Sequence, residues 1–384
     1  MEWLAEAGHE SRALCSARFD ALQTDPDELL ASLGISASRL PPSRANGGGY
    51  RPVVSYEQRG VPVTMVMSRH ASAATLNQEE DRQILRVFAV EIERRPPDAI
   101  ITYGSQPVVF EMMKLARSKG IKTVFSLRNH GYDNPRYFTH ATHVLTSSPW
   151  LSERYRRKNG LFSTGIASPI TWSEVRSQES DARGFVTFVN PAPHKGLLLF
   201  ARVAQMLGDR RPDIPILLVQ SAADASLLGQ IPGIDFSSYP QMVASPALTQ
   251  PADIFSLTKI LLAPSLFEEP FGRIAAEAMI NEVPPLVSDR GALPDTVGDG
   301  GIVLPVPTSL TPQSRLMPSA ADVEPWFEAI VRLWDDPEAY RRAASAAARA
   351  AGLLYGEAEQ RGRYLDYFTN LPAEAPFRPR AAST

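Results

Sequence analysis

The 384-residue sequence has little cysteine and little lysine, and it contains no long apolar run. Cys15 is the single cysteine, which excludes an intrachain disulfide framework and fits a reducing compartment. No apolar stretch approaches the roughly 18 residues of a membrane span. The opening Met1-Glu2-Trp3-Leu4-Ala5-Glu6 is acidic and has no apolar stretch, which reads as no signal peptide and gives a cytoplasmic expectation. A net charge of −3 supplies no global positive field, so no nucleic-acid partner is expected. Six of the 39 basic residues are lysine. That arginine skew, with alanine-rich stretches such as Ala343 to Ala351, points to a GC-rich bacterial genome and not to chemistry. What is present is ordinary for a globular protein: 44% hydrophobic and 21% charged residues exclude a chain disordered throughout. At about 150 residues per domain, the length allows two domains, or three.

Short β-branched runs alternate with longer helical patterns, which predicts an α/β chain with parallel sheets covered on both faces. Strands are expected at 98–103, 122–127 and 143–147, with a weak one at 12–17. In the second half they are expected at 184–190, 215–220, 260–264, 284–288 and 301–304. Helices are expected at 1–8, 106–119, 196–208, 251–258, 271–281, 325–335, 337–351 and 357–368. The polar stretch 166–184 has little periodicity and reads as the domain break. The expected units are therefore 1–167, 184–350 and a C-terminal helix with a frayed tail at 351–384, packing back on the first. The Gly47-Gly48-Gly49 run reads as a flexible loop. A doubly wound domain usually opens with a strand and a glycine turn. Here the first strand reads as missing, and the expectation is a native start upstream of Met1.

The most informative stretch runs from 260 to 304 and reads strand, loop, helix, strand, glycine turn, strand. Its loop ends in Glu269-Pro270-Phe271-Gly272, and Pro270 suits the first turn of a helix. Free N–H groups near Phe271, Gly272 and Arg273 would form an anion site, Gly272 would admit a close ligand, and Arg273 would add a fixed charge. Glu269 and Glu277 bracket this site. Eight helical residues span about 12 Å, enough to reach from a sugar past a pyrophosphate to a ribose. Taken singly, each glutamate reads more simply as a surface or helix-start charge; together with the proline, phenylalanine and glycine the pair reads as functional.

The pattern E-P-F-G-R-x-x-x-E-A followed by P-x-x-x-S-x-x-G resembles the C-terminal signature of family 4 glycosyltransferases, retaining enzymes of the two-Rossmann-domain GT-B fold. Residues 186–196 (VTFVNPAPHKG) resemble the family's first C-domain strand and phosphate loop, and 145–151 its last N-domain strand and following helix. The resemblance implies two doubly wound domains facing a central cleft. It implies that Glu269 contacts the donor sugar, Glu277 the ribose, the Phe271 and Gly272 amides the pyrophosphate, and Lys195 the leaving diphosphate. Many relatives have Gly-Arg where this chain has Val189-Asn190, so a charged clamp is replaced by the uncharged Asn190. The form N-P-x-x-x-K-G resembles that of one branch of the family.

The loop after strand 122–127 carries Arg128, Asn129 and His130. Relatives often place a histidine near there that faces the donor sugar, so a donor or acceptor contact is assigned to these residues, with a structural loop bond as the alternative. Tyr103 and Ser105 are assigned to the acceptor side. Asp25-Pro26-Asp27 spells a metal motif of another fold but reads as a helix start. His140 and His143 lack a third ligand nearby, so no metal site is assigned. The run Arg154-Tyr155-Arg156-Arg157-Lys158 reads as a solvated helix face, with a membrane-surface contact, peripheral to the inner face, as its alternative.

The resulting expectation is a glycosyltransferase that moves a sugar from a nucleoside diphosphate sugar, with a UDP-sugar the expected donor, to an unidentified acceptor. By resemblance it retains anomeric configuration and needs no metal or other cofactor. Two alternatives stand beside it: a non-catalytic nucleotide-binding or scaffold protein of the same fold, and a sugar-nucleotide epimerase.

Overall fold

The computed structural model describes residues 1–17, 26–41, 51–68, 78–178, 182–221, 223–231, 234–248 and 250–371. Asp25, the triple glycine and most of the expected tail lie outside them. The chain divides into two compact units. The first takes Met1–Leu145, Arg156–Thr164 and the stretch from Tyr364 on; the second takes Thr146–Tyr155 and Gly165–Arg363.

The first unit begins with the short helix Glu2–Glu6 and strand β1 (Ala13–Ser16). Strands β2 (Ser38–Leu40), β3 (Val53–Gln58) and β4 (Val61–Val66) complete a four-stranded sheet in the order β1-β4-β3-β2. Only β1 and β4 are parallel there; β2, β3 and β4 run antiparallel in succession. The expectation of helical crossovers fails at this point for a local reason. Arg59 and Gly60 join β3 to β4 with φ of 48° and 75°, and two left-handed residues close a tight hairpin. The second sheet has the order β5-β6-β7-β8, from Ala99–Thr102, Lys122–Leu127, His143–Thr146 and Thr164–Gly165. The helix Gln78–Arg94, not expected from the sequence, buries Ile84, Val87, Phe88 and Ile92, spaced to lie along one helical face. Phe88 and Ile92 pack with Ala116 and Ile121, and Leu14 of β1 and Ile100 of β5 join that cluster.

The second unit is built on a six-stranded sheet in the order β11-β10-β9-β12-β13-β14. Its strands are β9 (Phe185–Val189), β10 (Ile216–Val219), β11 (Met242–Ser245), β12 (Thr258–Ala263), β13 (Pro285–Ser288) and β14 (Ile302–Leu304). All five pairings are parallel. β10 and β13 are buried throughout, as strands covered on both faces must be. β11 is not among the expected strands: its short apolar run lies between Pro240 and Pro246, and its two central residues, Val243 and Ala244, are exposed at the sheet edge.

The chain winds outward through β9, β10 and β11 on one side and through β12, β13 and β14 on the other. The order therefore reverses between β9 and β12. In such sheets ligands bind outside the carboxyl ends of the strands at that reversal. Here the loops leaving β9 and β12 are residues 190–196 and 264–272.

The C-terminal helices run Ala320–Asp335, Pro337–Tyr355 and Glu357–Thr369. The first starts earlier than expected. Pro325 looks like a helix start in the sequence, but Ser319 and Asp322 form a capping box that begins the helix five residues before it. Trp326 on this helix is wholly buried against the sheet core with Phe188, Phe200 and Leu333. Replacing Trp326 by Ala should lower stability by about 3–5 kcal/mol, as expected for deleting a large buried aromatic side chain. Denaturant unfolding checks this, and a loss below about 1 kcal/mol would contradict the packing described.

Candidate functional site

The site is assembled at the β9/β12 reversal, within the second unit. After β9 the chain turns at Asn190, a non-glycine residue with φ of 64°, whose amide donates to the Val219 carbonyl at 2.9 Å. A short 3-10 turn, Pro193–Lys195, follows, and Gly196 at φ 92° begins the helix Leu197–Arg210. A Cβ on Gly196 would lie 2.0 Å from the Pro264 carbonyl oxygen, so only glycine lets this turn meet the loop after β12. The His194 carbonyl accepts from the Leu266 and Phe267 amides at 3.0 and 3.1 Å, which joins the two loops by backbone.

That junction places Lys195 against Glu269. The lysine Nζ donates to Glu269 Oε1 at 2.7 Å, and the Ser265 hydroxyl donates to the same oxygen at 2.9 Å. Glu269 is buried, and Lys195 is partly exposed. Asn190 Oδ1 is buried and has no hydrogen-bond partner among the described residues.

The segment from Glu269 to Gly272 is not helical. Gly272 sits at φ 84° and ψ 48°, and the helix spans Arg273–Ile280. Pro270 therefore precedes the helix instead of filling its first turn, because the left-handed Gly272 breaks the helical run. The expected span of about 12 Å from Glu269 to Glu277 along one helix falls with it, since only Arg273 onward follows the helical rise. The loop is held on several sides. Glu269's carbonyl accepts from the Ala292 amide at 2.8 Å, and a Cβ on Gly291 would lie 2.3 Å from the Glu269 nitrogen. The Pro270 carbonyl accepts from the Ser148 hydroxyl at 2.6 Å, and the Phe271 carbonyl accepts from the Thr296 hydroxyl. The Phe271 and Gly272 amides donate to no group among the described residues.

Glu277 is buried and accepts from Arg273 Nε at 2.6 Å. The Arg273 charge, expected to serve phosphate, is thus engaged by the glutamate one helical turn on. Burial pushes the Glu277 carboxyl above the usual carboxylate range, and the Arg273 bond offsets this only in part. Burial also lowers the His194 imidazole, with Lys195 adding to the effect.

The remaining candidates belong to the first unit. Arg128 Nε donates to Ser126 Oγ at 3.1 Å, and the Asn129 side chain accepts from the Gly131 amide at 3.0 Å. His130 follows in the same loop after β6. Tyr103 and Ser105, after β5, are exposed. The basic run is not a uniformly solvated face: Tyr155 is fully buried, and Arg154 Nε donates to Glu268 at 3.0 Å. The residues absent from the expectations are Ser265, Ser148 and Thr296. Of these only Ser148, in Ser147-Ser148-Pro149, carries a local signal, that of a helix start.

Residues 192–350 match the model of the family described as glycosyl transferases group 1. The matched stretch holds Lys195, Glu269 and Glu277, and with it the chain is a glycosyltransferase enzyme. Among curated proteins none matches the sequence. The fold is similar to that of a glycosyltransferase from Rickettsia africae, with a TM-score of 0.66 at 11% identity over 96% of this chain and 92% of that one. It is similar to Anabaena HepE (Alr3699), solved with UDP and glucose, at TM-score 0.62 and 15% identity over 96% and 94% of the two chains. Sucrose-phosphate synthase from Thermosynechococcus elongatus gives 0.61 and 15% over 94% and 99%. At these identities the likeness shows the fold, which is GT-B.

Glu277 allows a direct test of its burial. Because its folded pKa is raised, the proton it holds stabilises the fold below the ordinary carboxylate range. That contribution is lost as pH rises through the raised value. Glu277→Gln should therefore raise Tm at pH 7 to 8, and the gain should vanish near pH 4. A lower Tm for the variant at pH 8 would show that the Arg273 pair outweighs desolvation.

Proposed function

We propose that this chain transfers a sugar from a UDP-sugar to an acceptor, with retention of anomeric configuration and without a metal. The observation that carries the reading is the Lys195–Glu269 ion pair at the sheet reversal, set beside the undonated amides of Phe271 and Gly272. HepE, similar in fold, is solved with UDP and glucose, which supports uridine as the base.

In this reading the diphosphate sits against the Phe271 and Gly272 amides, and Lys195 turns from Glu269 to a phosphate oxygen. Fixed donors aimed at the leaving group stabilise the charge that builds on it as the glycosidic bond breaks. Glu269, released from Lys195 but still held by Ser265, accepts from the sugar hydroxyls, and its charge favours the oxocarbenium-like sugar. Glu277 accepts from the ribose hydroxyls. Asn190, with an unpartnered oxygen, accepts from a donor N–H or O–H and does not clamp phosphate. Arg128, Asn129 and His130 are assigned to donor or acceptor contacts, and Tyr103 and Ser105 to the acceptor.

Calorimetry with UDP and with uridine tests these roles. Glu277→Ala should weaken both ligands at least tenfold, since a hydrogen bond to a charged group is worth roughly 1.5–3 kcal/mol. Lys195→Ala should weaken UDP while leaving uridine unchanged. Equal losses for the two ligands would remove Lys195 from the phosphate. Conversion of a UDP-sugar to its epimer without any acceptor would replace the transferase reading by an epimerase.

A further inference from the structure

Neighbouring hydroxyls sit on two carbonyls of the loop that presents the two undonated amides, and Ser147 Oγ adds a longer donation to the Pro270 carbonyl at 3.4 Å. Ser148 Oγ donates to the Pro270 carbonyl at 2.6 Å, and Thr296 Oγ1 donates to the Phe271 carbonyl. Both donors are buried. They come from different parts of the second unit. Ser148 stands at the start of the helix Pro149–Asn159, and Thr296 lies in the helix Leu293–Val297.

The peptide unit is planar and trans, so its C=O and N–H point in opposite directions. Fixing the Pro270 carbonyl therefore fixes the direction of the Phe271 N–H. Fixing the Phe271 carbonyl does the same for the Gly272 N–H. Each hydroxyl grips the back of one peptide and turns the amide on its other side away from the protein that holds it. Gly272 most needs such a restraint, because glycine has the widest backbone freedom. Without donors on these carbonyls, either peptide can rotate and put an acceptor where a donor is required.

We propose that Ser148 and Thr296 are positioning residues that orient two successive amides toward the donor diphosphate. The proposal rests on the transferase reading above. Neither residue touches the donor; each acts through the peptide it holds. Ser148 has a second task, since its oxygen accepts from the Leu151 amide at 3.0 Å and caps the helix. The two roles of this serine separate by substitution. Glycine retains nearly all of an N-cap's stability but has no hydroxyl. Threonine keeps both.

The experiment compares Ser148→Gly, Ser148→Thr, Thr296→Val and Thr296→Ser with the parent chain. Two readouts are taken: hydrogen exchange of the Phe271 and Gly272 amides without ligand, and calorimetric affinity for UDP and for uridine. Ser148→Gly should speed exchange at Phe271, and Thr296→Val at Gly272. Each should weaken UDP about fivefold, within the range of one net hydrogen bond, and leave uridine unchanged. Ser148→Thr and Thr296→Ser should restore parental behaviour. Unchanged exchange and unchanged UDP affinity in both Gly and Val variants would overturn the positioning role, as would equal weakening of UDP and uridine. Parent protein that binds no UDP would overturn the transferase reading itself, whereas parent binding with indifferent variants overturns only the role of the two hydroxyls.

Discussion

A buried carboxylate has to be partnered, and in this protein that requirement organises the site. Glu269 lies almost out of solvent, and two donors meet on one of its oxygens, Lys195 from the loop after β9 and Ser265 from its own loop. Breaking such a pair by removing one partner is costly, because the remaining charge stays buried. The two loops on either side of the sheet reversal are thus tied by charge as well as by the backbone bonds to His194. The left-handed Gly196 permits that approach, and the left-handed Gly272 ends the tied segment before the helix begins. A site whose reactive groups hold each other in register needs little else to define it.

Support for this loop extends well beyond the groups that meet a substrate. The Tyr355 hydroxyl, at the end of the helix Pro337–Tyr355, donates to the Thr296 carbonyl at 2.6 Å, and Thr296 in turn holds Phe271. The Tyr355 carbonyl accepts from the Trp172 indole at 2.7 Å and from Gln360 at 2.6 Å. The Phe271 ring meets the Tyr355 ring edge-on at 5.7 Å between centroids. A continuous run of buried polar contacts therefore leads from the C-terminal helices to the loop. Burial raises the Tyr355 phenol above its ordinary range, which keeps this hydroxyl a donor at neutral pH.

The second unit is legible in the sequence because its strands are apolar runs and its loops carry glycine and proline at fixed places. Five of its six strands and its principal helices fall where periodicity puts them. The exception, β11, is an exposed edge strand whose short apolar run, Met242-Val243-Ala244, is bracketed by Pro240 and Pro246. The first unit is less legible. Its hairpin turns on Arg59-Gly60, a weaker signal than Asn-Gly. Its longest helix falls outside the expected elements despite a regular apolar face at Ile84, Val87, Phe88 and Ile92. At the site, motif residues such as Lys195, Glu269 and Glu277 stand out because their spacing is unusual. Ser265 and Thr296 cannot stand out. Ser265 bonds a carboxylate only four residues on, but a single loop serine marks nothing by itself; Thr296 grips Phe271 from 25 residues away, and that role exists only once the chain is folded.

The pairing of charges at the site has an electrostatic consequence. Lys195 is neutralised by Glu269 and Arg273 by Glu277, so two cations and two carboxylates cancel before any ligand arrives. Such a site projects little field into solvent, and an approaching dianion is not drawn in from a distance. In the proposed reading its capture is decided at contact, by exchange of ion-pair partners and by the direction of peptide dipoles. Contacts of that kind act well inside the Debye length of about 8 Å at physiological ionic strength, where salt screens weakly. Donor encounter should accordingly proceed at an ordinary diffusional rate that changes little with ionic strength, and selectivity among anions should come from their shape and not from their charge.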